Sequence, residues 1–451
     1  MNIIQNGLLV TPEGPVQADL AFENGIITAL GQIQPRGGDR ALDAAGCWVF
    51  PGFIDQHTHL QANTGITWTA DDFASGTTAA VCGGTTTIVD FATQDRGMTL
   101  MEALNSWKER ALGNSRCNVA FHMAVSDWNG ETKKEIPLLR QEGVSSFKAY
   151  LAYDHLRLKD TELLELLETL RDHGCICGCH CENGPVIARL QEKEIALGHA
   201  GPAGHPRSRP PETEAEAVNR FAYLAALARC PVYVVHLSTR LGLEEVRAAR
   251  RRGQTIYAET CPQYLLLEDA VYDLPGFEGA KYVCSPPIRK REDVSALREA
   301  LLAGEIEAVA TDHCAFRFDT QKSLGKEDFR KIPNGIPGIE HRPALTAEVL
   351  RQEGALTPVR MNAVLSEGPA KLMGMYPRKG ALKVGSDADL TVWQPDTKWT
   401  IRAAEQHQNV DYSPYEGFKV CGRARQVYVN GIPAAENGEP TEAVAGKFVK
   451  R

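Results

Sequence analysis

Two histidines one residue apart, His57 and His59, close the run Phe50-Pro-Gly-Phe-Ile-Asp-Gln-His-Thr-His59. Side chains alternate along an extended chain, so both imidazoles point to the same side. Two imidazoles on one side of a strand end form half of a zinc-type ligand shell. Alone, a His-x-His pair is as compatible with ordinary core or surface histidines. Its weight comes from what recurs downstream, where Lys148, His180, His236 and Asp312 each close an apolar run: Ser-Ser-Phe-Lys148, Cys-Ile-Cys-Gly-Cys-His180, Val-Tyr-Val-Val-His236 and Ala-Val-Ala-Thr-Asp312. A lone histidine at such a place is more often a hydrogen-bonded core residue, and a lone aspartate often caps the next helix. Agreement among five strand ends points to one shared site.

Four histidines and one aspartate suit two borderline-soft divalent cations such as zinc. A two-ion site needs a bridging anionic oxygen, and no further strand-end carboxylate stands out. Lys148 is the candidate. A buried lysine loses its charge readily, and the neutral amine can add CO2 to give a carbamate that ligates like a carboxylate. The competing reading is a lysine paired with an acid. The run Cys175-Ile-Cys177-Gly-Cys179-His-Cys181 invites a thiolate-site reading, but on a strand its four cysteines share the face opposite His180. They are expected to pack as small hydrophobes.

These residues need elements to carry them. Strand-like apolar runs occur at 47–54, 85–91, 118–125, 144–150, 175–181, 232–237, 255–259 and 307–310, with helical patterns such as 160–171, 214–228 and 244–252 between them. Eight strands alternating with helices are the pattern of an α/β fold, a (β/α)8 TIM-like barrel with chemistry at its C-terminal strand ends. A doubly wound sheet is the structural alternative. Residues 1–49 and the stretch from 375 to 451 share a different texture, short strands punctuated by Asn6-Gly7, Asn24-Gly25 and Asn430-Gly431. This divides the chain into a discontinuous small β-sandwich domain (1–49 and 375–451) and a barrel (50–374).

The net charge of −8 argues against a nucleic-acid or anionic-membrane partner. The basic cluster Arg247 and Arg250 to Arg252 reads as the solvated end of a helix opened by Glu244 and Glu245. Twelve cysteines without a leader-like N-terminus point to a reducing, cytoplasmic setting, and no apolar run approaches the ~20 residues of a membrane span.

A resemblance rests on the segments Pro51-Gly-Phe-Ile-Asp-Gln-His-Thr-His59, Gly83-Gly-Thr-Thr, Phe147-Lys-Ala-Tyr-Leu-Ala-Tyr153, His180-Cys-Glu-Asn-Gly184, Ser208-Arg-Pro210 and His236-Leu-Ser238. It rests equally on Glu259-Thr-Cys-Pro-Gln-Tyr264, Cys284-Ser-Pro-Pro287, Ala310-Thr-Asp-His-Cys314 and Pro333-Asn-Gly-Ile-Pro-Gly338. The chain resembles the cyclic amidohydrolases, most closely the dihydropyrimidinase and hydantoinase branch. The resemblance implies the barrel with a sandwich from both termini, and a binuclear, usually zinc, centre. His57, His59 and Asp312 would hold one ion and His180 and His236 the other, bridged by N6-carboxylated Lys148. It further implies that Tyr153 donates to the oxyanion, that the backbone at Ser285 and Asn334 holds the ring amide, and that the enzyme is a homotetramer. The implied reaction is ring opening of a dihydropyrimidine or 5-substituted hydantoin to an N-carbamoyl amino acid. A metal-bridging hydroxide would attack, with Asp312 as proton shuttle.

One departure stands out. Dihydroorotases and allantoinases of this type carry an arginine two positions after the second histidine, where this chain has Gln61. No cation is offered there to a substrate carboxylate, which weakens the dihydroorotase reading. Two rivals remain, an allantoinase-like or other cyclic amide or lactam hydrolase, and a non-catalytic scaffold relative that has lost its ligands.

Overall fold

The structure, a computed structural model, describes residues 1–451. Its middle is a ring of eight strands: β1 Phe53–Thr58, β2 Thr85–Thr93, β3 Asn118–Ala124, β4 Ser146–Tyr150, β5 Ile176–His180, β6 Val232–Val234, β7 Ile256–Thr260 and β8 Ala308–Val309. Neighbours pair in parallel, in sequence order. Helices fill the crossovers. In Asp160–Asp172, Leu163, Leu166, Leu167 and Leu170 recur at helical spacing and are buried, with acids in the first turn and Arg171 in the last.

The two-residue β8 is too short to close the ring by a ladder, so side chains and one isolated backbone bridge, Thr58 to His313, close it instead. Thr311 donates from its amide and hydroxyl to Asp55, at 3.1 and 2.7 Å. One nitrogen of buried Arg342 donates to the carbonyls of Ile54 and Val309, at 2.8 and 2.9 Å. The His59 amide donates to the His313 carbonyl at 2.8 Å.

Both chain ends build a nine-stranded, mostly antiparallel sheet. Trp48–Pro51 lies between Asn2–Thr11, which it meets in parallel, and Leu390–Thr400, which it meets antiparallel. Ile4, Leu9, Leu20, Phe22, Leu390 and Val392 form a separate small core there. The fold class is therefore the expected barrel with a small β-sandwich domain from both termini.

The sequence reading placed one barrel strand over 47–54. The structure breaks that run at Gly52, leaving Trp48–Pro51 in the terminal sheet and starting the barrel at Phe53. The Gly52 amide donates to the Asp389 carbonyl at 2.7 Å, and a Cβ at this position would overlap the Thr86 side chain. Only glycine lets the chain pass between the two sheets so closely.

The helix expected to open at Glu244 starts a turn earlier, at Arg240, capped by Thr239. Arg251 and Arg252 are exposed at its end as expected, whereas Arg247 and Arg250 are half-buried. Arg247 pairs with Glu305 at 2.6 Å, Arg250 with Glu307 at 2.9 Å, and Arg252 lies over Tyr223. Cys175, Cys177, Cys179 and Cys181 join the main hydrophobic core, consistent with packing. No helix is long and apolar enough to cross a membrane.

Candidate active site

The β1 strand is buried throughout, and its alternation turns both histidines to the same side, with ring centres 5.2 Å apart. His57 Nε2 lies 3.1 Å and His59 Nε2 3.3 Å from Asp312 Oδ1. The His57 contact is not aligned as a hydrogen bond, so Nε2 is buried without a donor or acceptor partner. Nδ1 of His236 is likewise buried and unpartnered. One donor atom each from His57, His236 and Asp312 fits within 4.8 Å of the others. His180 packs edge-on against His236 with ring centres 4.6 Å apart.

The backbone is bent to make this convergence. His236 has φ +40°, Asp312 +53° and Tyr153 +64°, left-handed values that cost a side-chain-bearing residue on the order of 1–3 kcal/mol each. Each lies just beyond a barrel strand, so strain gathers where side chains are aimed inward.

Lys148 sits within β4 rather than at its tip, two residues before Tyr150. Its ammonium lies 4.8 Å from the Phe91 ring centre, and the same ring stacks on His59. Burial pushes the Lys148 amine down, and Asp312 and Glu259 oppose this only as nearby charges, with no ion pair to either. Burial also lowers His59 to about 4. Asp312 behaves oppositely. Burial would raise it, but His57 and His59 beside it hold the carboxyl well below its usual range.

Tyr153 packs on His180 at 5.2 Å between ring centres. Burial pushes its phenol up, opposed by Arg209 and by the Ser285 and Asn334 side chains that face it. Ser285 Oγ is buried without a partner. Tyr150 is buried and stacked on His180, which makes it packing more than pocket wall. Gln61 adopts φ +49°, and its carbonyl accepts from Arg110 at 2.9 Å.

Sequence reasoning missed two residues. Glu259, at the end of β7, is a strand-end carboxylate after all. It accepts from His57 Nδ1 at 2.6 Å, from Gln56 at 2.7 Å and from the His236 amide at 3.2 Å. These bonds commit it to orienting histidines rather than bridging. Glu182 accepts from His180 Nε2 at 2.8 Å and from Arg209 at 2.6 Å. Burial would raise the Glu182 carboxyl, but Arg209 and His180 bring it down to about 2. The signals were a carboxylate closing an apolar run in Glu259 and one two residues after a histidine in Glu182.

The amidohydrolase family profile matches residues 48–433. The chain belongs to the amidohydrolase family. A D-hydantoinase of Ralstonia pickettii is 41% identical over 455 aligned residues, covering 100% of this chain and 98% of the relative. A D-hydantoinase of Geobacillus stearothermophilus is 40% identical, with 100% and 96% covered. Among solved structures, a dihydropyrimidinase from Brevibacillus agri superposes with a TM-score of 0.97 at 39% identity, covering 100% of this chain and 98% of that one. The buried imidazole and carboxylate donors fit the metal site that this amidohydrolase's family and geometry imply. Two imidazole nitrogens lack any other partner, and the opposite nitrogens of His57 and His180 are pinned by carboxylates, as metal-ligating histidines require.

Proposed function

We propose that this amidohydrolase opens the ring of a dihydropyrimidine or 5-substituted hydantoin by hydrolysis, releasing an N-carbamoyl amino acid. The observation that carries the reading is the convergence of His57, His236 and Asp312 donor atoms within 4.8 Å, two of them on imidazole nitrogens with no other partner. His57, His59 and Asp312 would hold one divalent cation, and His180 and His236 a second. Lys148, carboxylated on Nζ, would be shared between them. Its burial without an acid partner supports that modification, because the free amine is the form that adds CO2. Divalent cations held by these residues would lower the pKa of water toward ~7 and polarise the scissile carbonyl.

The remaining chemistry falls to the chain itself. Asp312 is held as a carboxylate by His57 and His59, so it can accept the proton of the attacking water. The same carboxyl group then returns it to the ring nitrogen as the carbon–nitrogen bond breaks. The Tyr153 phenol stays protonated because burial raises it, and it donates to the developing oxyanion. Backbone groups at Ser285 and Asn334 hold the ring amide opposite.

The first probe is D-5-phenylhydantoin, because the relatives are named D-hydantoinases. The test is metal content per chain on protein purified without chelator, with hydrolysis assays on dihydrouracil, phenylhydantoin, allantoin and dihydroorotate. About two ions and turnover of one of the first two is the expected result. Two ions with turnover only of allantoin or dihydroorotate overturns the substrate class. No metal and no turnover after zinc and bicarbonate are supplied favours the scaffold reading. The family resemblance implies a homotetramer, checked by light scattering, and twelve free cysteines, eleven of them buried, support a reducing, cytoplasmic setting.

A further inference from the structure

Lys322 is fully buried in the turn Lys322–Gly325, outside the ring of metal donors. A buried ammonium ordinarily pairs with a carboxylate, and this one has none. Its Nζ donates instead to two backbone carbonyls, Val283 and Pro333, each at 2.7 Å. Those carbonyls belong to separate segments. Val283 lies two residues before Ser285, and Pro333 immediately precedes Asn334. The segments are joined once more by the Gly335 amide, which donates to the same Val283 carbonyl at 3.0 Å. The Ser285 and Asn334 side chains both face Tyr153. One side chain thus braces, from behind, the two stretches that frame the substrate side of the site.

We propose that Lys322 is a positioning residue for substrate binding, tying the Val283 and Pro333 carbonyls and so setting the gap between Ser285 and Asn334 that receives the planar amide edge of a cyclic substrate. This rests on the function proposed above. An apolar residue would fill the space but leave two buried carbonyls short of a donor, and each segment would relax independently. Holding the ring equally in ground and transition state affects KM more than kcat.

The test compares wild type with Lys322→Met, which keeps length and loses the donor, and Lys322→Gln, which keeps an N–H on a shorter arm. Lys322→Met is expected to raise KM about tenfold with kcat within about threefold, at unchanged metal content. Amide hydrogen exchange in residues 283–286 and 333–336 should quicken in the same variant. Lys322→Gln should recover part of both effects. Should Lys322→Met fail to fold, a raised KM with near wild-type kcat in Lys322→Gln supports the assignment, and an unchanged KM there overturns it. Unchanged KM and exchange in folded Lys322→Met also overturn it. Wild-type protein that hydrolyses no cyclic amide sinks the proposed function and the grip on the ring together, whereas wild-type turnover with indifferent variants sinks only the role of Lys322.

Discussion

Glu259 Oε1 stands 2.6 Å from His57 Nδ1, so the imidazole presents its other nitrogen to Asp312 and to the centre of the barrel mouth. The same carboxylate accepts from Gln56 and from the His236 amide, binding β1 to the turn after β6. Replacing Glu259 with Gln keeps the shape and removes the charge that favours the required tautomer. Metal affinity or activity should fall about 10- to 100-fold, read by chelator titration with metal content followed in parallel. Unchanged affinity and activity would mean that packing alone sets the ring.

Asp312 contacts His57 in β1 and His59 just beyond it, and is held ionised by them. Asp312→Asn removes the only carboxylate in the donor cluster while preserving size. Turnover should drop by about a hundred- to ten-thousandfold. Activity near wild type in a variant that still binds metal would end the proton-shuttle assignment.

Tyr153 is aimed by its left-handed backbone at Ser285 and Asn334. Tyr153→Phe deletes the one phenolic donor there and should lower kcat by about a hundred- to a thousandfold, with a smaller change in KM. A loss confined to KM would show that the hydroxyl grips the ground state instead.

Burial pushes Lys322 down from 10.5 to about 7. Between those values the unfolded chain carries a proton that the folded chain lacks, so this group's contribution to stability rises with pH. Below about 7 both states are protonated and the folded state bears the whole desolvation cost; above 10.5 that cost is gone. Lys322→Met should therefore flatten the pH dependence of the unfolding midpoint across this window. A midpoint difference between variant and wild type that stays constant with pH would show that the lysine is not desolvated as the structure implies.

The barrel was legible because its strands are apolar on both faces and stop at polar residues, so strand ends announce themselves in the chain. His57, His59, His180, His236 and Asp312 were all found this way, and the structure brings them together. Glu259 escaped notice although its strand was recognised, because a carboxylate before Cys261-Pro262 is equally at home beside a helix start. The break at Gly52 was invisible for another reason. Residues 47–54 are continuously apolar, and two different sheets bury them. Arg342 and Lys322 make their contacts across 288 and 39 residues, and no local pattern encodes such reach.

The closure between Asp55 and Thr311 joins residues 256 apart. His57 and His59 lie on one side of that seam and Asp312 on the other, so the donors meet only in a ring that has already formed. A partly assembled chain offers no complete cation site. Any cation that takes these donors therefore binds the finished fold and not its precursors, and mass action makes the resistance of the whole barrel to unfolding a function of free metal concentration.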